Sequence, residues 1–135
     1  MTSPNEPLVR QVIVASPFGT LVGTQAEALE VDRVRLRLPF RAELATVADV
    51  VHGGAIASLV DVAATAAAWA TAEPATGHRG TTIGFTVSFL AVAHGCDLVA
   101  TAQVIQRGRT ICVIEVAVEG NGTAIARGLV TYKLG

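Results

Sequence analysis

Residues 51–72 read VHGGAIASLVDVAATAAAWATA, and the reading of this stretch decides the fold. Alanine dominates it, and alanine has the highest helix propensity. Glu73-Pro74 closes it, because the residue before a proline is pushed out of the helical region. The spacing predicts one long helix from Gly53-Gly54 to about Ala72. It is apolar nearly all round, which marks a buried helix. A membrane span is the rival reading. Asp61 argues against it: an acidic group at a helix centre costs roughly 2.5–3.5 kcal/mol on the insertion scale, and alanine gains too little to offset that.

Working outward, the chain before the helix alternates. From Thr20 to Pro39 the pattern is extended, and Arg33, Arg35 and Arg37 interleave with Val34, Leu36 and Leu38. Period two predicts a strand with one wet and one buried face. Pro17 and Gly19 mark a turn, and the residues around Pro4 and Pro7 read as a frayed terminus. Arg41 to Val51 is a connecting segment. After Pro74 the chain has no proline, which leaves an uninterrupted antiparallel ladder. Strands are predicted at Thr82–Ala91, Asp97–Gln106, Arg109–Glu119 and Thr123–Lys133. Their turns are His94-Gly95, Arg107-Gly108 and Gly120-Asn121-Gly122. Extended chain, one helix, then four strands is an α+β arrangement with the helix against a single antiparallel sheet.

Composition narrows the function. The chain has 135 residues, which suits one domain with a sizeable core. Hydrophobic residues make up 51%, charged residues 16%, and disorder is excluded. With a formal net charge of −1 there is no basic field to recruit nucleic acid or anionic lipid. Cys96 and Cys112 form no CxxC pair, so neither a disulfide framework nor a zinc finger is expected. The three histidines and the carboxylates lack metal-ligand spacing, so no metal is expected. The first residues lack the cationic start and apolar core of a signal peptide, which makes the cytoplasm the default compartment.

The helix is apolar except along one line. Ser58, Asp61 and Thr65 fall at i, i+3 and i+7, on one side. An unpaired buried carboxylate is costly, so a narrow polar stripe here marks a lined cavity. The plainer reading is an aspartate hydrogen-bonded to backbone or to a core arginine. The helix start shifts the balance. Its first N–H groups have no intrahelical partner and sit at the positive dipole end. Glycine at Gly53 and Gly54 lets a ligand approach that backbone, and backbone N–H groups aimed at a carbonyl oxygen are what an oxyanion site needs.

Val51-His52-Gly53-Gly54 followed by Leu59-Val60-Asp61 resembles the His-Gly-Gly … Leu-Ala/Val-Asp signature of hotdog-fold thioesterases. The group it is most similar to is the PaaI-like acyl-CoA thioesterases of phenylacetic acid degradation. The resemblance continues through Thr82–Leu90, through Gln106-Arg107-Gly108-Arg109-Thr110, and through Ala126–Tyr132. It implies a hotdog domain over residues 20–135 behind an N-terminal extension, 1–19. It also implies a homodimer with a continuous sheet, or a tetramer of two such dimers, with the active site at the interface. No cofactor is implied beyond the coenzyme A of the substrate.

Carried over residue by residue, the resemblance makes the Gly53 N–H the polariser of the thioester carbonyl. Asp61, reaching from the partner subunit, is general base or nucleophile. Thr82 positions water, Thr65 assists, and His52 organises the loop near the carbonyl. Gly54 and Ser58 line the groove. Two positions depart from the family: Thr46 stands where asparagine is usual, and Asp49 where glycine is usual. Threonine still donates a hydrogen bond at shorter reach. Aspartate tolerates a left-handed backbone better than most residues.

Other residues carry two readings. Arg107, Arg109 and Arg127 suit the phosphates of coenzyme A, or are solvated hairpin residues. Trp69 contacts the acyl group or belongs to the core. His78, Arg79 and His94 read as surface, and the two cysteines as small core residues. The leading reading is an acyl-CoA thioesterase releasing an aromatic or medium-chain acid. A non-catalytic acyl-CoA binder is the alternative, motivated by Thr46. A hydratase of the same fold fits less well, because His52 is followed by Gly-Gly.

Overall fold

The computed structural model describes residues 1–77 and 79–135. His78, read above as a surface residue, lies outside the described residues. The central element is helix α3, Gly53–Trp69, lying across one antiparallel sheet of six strands. The strands are β1 (Gln25–Glu30), β2 (Arg33–Leu38), β3 (Gly80–Phe89), β4 (Leu98–Arg107), β5 (Ile111–Gly120) and β6 (Thr123–Leu134). Their spatial order is β1-β2-β4-β5-β6-β3, so β3 is one edge of the sheet. This is the hotdog fold.

The sheet is two-faced, as its alternation requires. Leu98, Ala100 and Ala102 of β4, Cys112, Ile114, Val116 and Val118 of β5, and Val130 of β6 are buried under α3. Leu59, Val60, Ala63 and Ala67 of the helix meet them. Small residues let helix and sheet approach closely: a Cβ on Gly128 would stand 2.7 Å from a Val60 methyl. The β5–β6 turn is formed by Asn121 (φ 50°) and Gly122 (φ 74°), the left-handed pair of a two-residue hairpin.

Three expectations about the first third of the chain need correction. The extended stretch is a hairpin of two strands rather than one, turning at Asp32, which takes φ 61°. Asp tolerates that conformation, but without a neighbouring glycine the turn left little trace. Before it, Pro17–Val22 is a short helix, α2, in place of a turn. The terminus is not frayed either. Glu6–Leu8, α1, runs into a π-helical turn at Val9–Val14, and Val9 is fully buried. The anchor is Asn5, a buried side chain whose Nδ2 donates to the carbonyls of Trp69 and Glu73 while its Oδ1 accepts from the Ala75 N–H.

Helix α3 stops at Trp69, before the expected Ala72, because tertiary partners take its last carbonyls. Arg107 donates from Nη1 to the Ala68 carbonyl at 3.0 Å and from Nη2 to the Ala67 carbonyl at 3.2 Å. Its Nε donates to Asp32 Oδ1 at 2.9 Å. A planar, permanently charged fork suits this capping role, and the helix C-terminus favours a cation. Arg107→Ala is expected to cost about 2 kcal/mol, since it leaves the buried Ala68 carbonyl without this donor and takes the charged partner from Asp32. The melting temperature should fall by on the order of 10 °C, and Lys should rescue only part of it.

Candidate active site

The site is built on the face of α3 that its own chain leaves uncovered. Gly54, Ser58, Asp61 and Thr65 are all at least partly accessible, while the other faces are buried. Asp61 is held from β3: the Thr82 hydroxyl donates to Asp61 Oδ1 at 2.7 Å. The carboxylate therefore has neither an arginine nor a backbone partner among the described residues. One oxygen is oriented by this bond, and the side chain remains partly accessible. This joins two of the residues selected from sequence, Asp61 and Thr82, which lie 21 positions apart.

At the helix start the N–H groups can be accounted for one by one. Gly54 N–H donates to His52 Nδ1 at 2.7 Å, and the Ala55 and Ile56 N–H groups donate to the His52 carbonyl. The Gly53 N–H has no acceptor among the described residues. His52 is thus the N-cap, with its backbone tied to Leu44. Because Nδ1 accepts, the neutral ring carries its proton on Nε2. Gly54 is needed for this cap, since a Cβ there would press on Nδ1 at 3.0 Å. Ser58 spends its hydroxyl proton on the Gly54 carbonyl.

The loop before His52 is a tight reversal in which the Thr46 N–H donates to the Val50 carbonyl. Thr46 is exposed, at the same end of the helix as Gly53. The left-handed residue of this loop is Ala48 (φ 52°), not Asp49. Asp49 pairs with His94 at 3.1 Å and so links the loop to the segment after β3. That pairing supplies His94 with a partner that sequence did not reveal. Alanine in this conformation carries strain of roughly 1–2 kcal/mol. Ala48→Gly is expected to raise the melting temperature by a few degrees in calorimetry.

Among the arginines, Arg107 is unavailable to a ligand, because its guanidinium is spent on Asp32 and the helix end. Arg127 pairs with Glu115 on the outer face of the sheet. Arg109 and Arg79 line a surface hollow of about 460 Å³ beside Trp69 and Leu134. Trp69 is buried, and its Nε1 donates to the Tyr132 hydroxyl at 2.9 Å. Burial, opposed in part by that bond, raises the Tyr132 pKa above its ordinary value. Among the described residues no group of histidines, cysteines and carboxylates is placed to hold a metal ion. None of their helices is long and apolar enough to cross a membrane.

A central helix presenting a carboxylate and a free N–H, wrapped by one sheet, is an arrangement able to act on a carbonyl. The chain belongs to the thioesterase superfamily, which it matches over residues 48–124. It is 32% identical over 102 residues to a candidate esterase of Halobacterium salinarum, a match spanning 73% of this chain and 67% of that protein. A thioesterase family protein of Silicibacter pomeroyi superposes with a TM-score of 0.84 at 26% identity, covering 94% of this chain and 96% of that one. Zebra fish thioesterase superfamily member 2 does so with a TM-score of 0.81 at 25% identity, covering 100% and 99%.

Proposed function

We propose that the protein is a PaaI-like acyl-CoA thioesterase of the cell interior. Its site would be shared between two copies, with Asp61 from one chain and the Gly53 N–H from the other. The observation that carries this is a separation. Gly53 and Asp61 are eight residues apart on one helix, about 12 Å along its axis. Reacting groups must lie within about 3–3.5 Å of the atoms they act on. The two groups of one chain therefore cannot serve the same carbonyl.

Strand β3 supplies the route to pairing. It is an edge strand whose helix-side residues Phe85 and Phe89 remain 42% and 54% exposed. It contains no proline or lysine to deter pairing. Thr82, at one end of β3, holds Asp61, and Phe89, at the other, lies against Gly53. Antiparallel self-pairing about a two-fold axis near Phe85 and Thr86 sets each Thr82 beside the partner's Phe89. Asp61 then approaches Gly53 of the partner subunit, and two equivalent sites form.

In each site the carbonyl oxygen accepts from the free Gly53 N–H. Asp61 removes a proton from water as the water oxygen adds to the carbonyl carbon, or its own oxygen adds there, and the anhydride left after the thiolate departs is cleaved by water to the free acid and the Asp61 carboxylate. The oxyanion collapses, the carbon–sulfur bond breaks, and the thiolate leaves and is protonated as coenzyme A. Thiol release from short, medium, long and aryl acyl-CoAs tests this reading. Saturable release by a dimer or a tetramer is expected. Binding of esters without any release would replace the enzyme by an acyl-CoA binding protein.

A further inference from the structure

Past the lower end of the Asp61 stripe lies a second, smaller cavity of about 160 Å³. Its walls are Leu8, Val12 and Ile13 of the N-terminal segment, together with Trp69, Gly80 and Tyr132. We propose that this cavity receives the apolar end of the acyl group, so that the N-terminal segment sets acyl length. The proposal rests on the thioesterase reading of Asp61.

Two elements lead from the carboxylate to the cavity. On α3, Asp61, Thr65 and Trp69 follow at four-residue steps, and Trp69 stands about 12 Å beyond Asp61 along the axis. On the sheet, Gly80 precedes Thr82 by two residues, and Tyr132 is the cross-strand partner of Thr82. A carbonyl held at Asp61 therefore has its acyl chain directed between these elements. A short chain stops before the cavity, and one of medium length ends in it.

The lining suits a hydrocarbon. Of its two polar side-chain atoms, Trp69 Nε1 donates to the Tyr132 hydroxyl oxygen, so an apolar guest leaves the indole donor paired. A dry cavity of about 150 Å³ is large enough for benzene. Gly80 creates the geometry: a Cβ there would stand 2.5 Å from the Tyr132 hydroxyl.

The roof is fixed rather than incidental. Asn5 ties it to the end of α3 through Trp69 and Glu73. The π-helical turn at Val9–Val14 buries Val9 and leaves Val12 43% exposed at the rim. Such turns recur at functional sites.

Trp69 is the only tryptophan, so its emission reports occupancy without any turnover. Octanoyl-CoA should change that emission saturably, and butanoyl-CoA should change it much less. Val12→Phe projects a ring into the cavity from an exposed position. It should weaken the octanoyl-CoA response at least tenfold and lower the octanoyl-to-butanoyl ratio of kcat/KM by a similar factor. An unchanged ratio, or the absence of a saturable Trp69 response in the wild type, would overturn the cavity assignment. A saturable response without hydrolysis of any ester would instead overturn the thioesterase reading and keep the cavity. Leu8→Phe, from the other side of the roof, repeats the test should Val12→Phe fail to fold.

Discussion

Asp61→Asn is expected to lower thioester turnover by about 10²–10⁴-fold, the range a general base contributes. The fold should survive. Asparagine has the same shape, and its amide oxygen still accepts from the Thr82 hydroxyl that now meets Asp61 at 2.7 Å. No arginine or lysine pairs with Asp61 among the described residues, so removing its charge strands no cation. The melting temperature should stay within a few degrees, while kcat falls and KM changes little. Near-normal kcat in this variant would remove Asp61 from the mechanism. An equal loss of stability would show that Asp61 is a structural residue.

The second large effect is expected at Gly53. Gly53→Pro deletes the single helix-start N–H without an acceptor among the described residues. Proline is favoured at the first helical position, where its missing N–H costs the helix nothing. His52 already has the extended backbone that precedes a proline, φ −62° and ψ 136°. The helix should therefore form unchanged in circular dichroism. Loss of one oxyanion donor predicts a fall in kcat of about 10²–10³-fold. The two variants also test the shared site. Mixing unfolded Asp61→Asn and Gly53→Pro chains and refolding them together gives hybrid dimers with one intact site. Activity should recover to roughly a quarter of wild type for random pairing. No recovery in demonstrated hybrids would place Gly53 and Asp61 in the service of different steps, or of none.

Much of this was legible in residues 51–72. The alanine run, Asp61 within it and Gly53-Gly54 before it gave the buried helix, the carboxylate and the open N-terminus. The proline-free second half gave four strands, and Asn121-Gly122 gave a hairpin with the two left-handed residues it requires. These are local properties: helix propensity, period-two alternation and turn chemistry act over a few residues, and the chain states them directly.

What tertiary structure decided involves partners far apart in sequence. Nothing local marks Asn5 as buried, because its acceptors are carbonyls some 64 to 68 residues away. Arg107 reads as a hairpin residue open to phosphate until the fold sets it under the end of α3. Strain in the loop before His52 falls on Ala48, one residue from the position where the resembled family usually has glycine. Most consequential is the exposed face of α3. The helix carries its carboxylate and its glycine start in plain sequence, but only its straightness and its packing beside edge strand β3 keep them apart within one chain. The residue types of the candidate site follow from sequence, and the proposal that a second copy completes it follows from the rise of an α-helix.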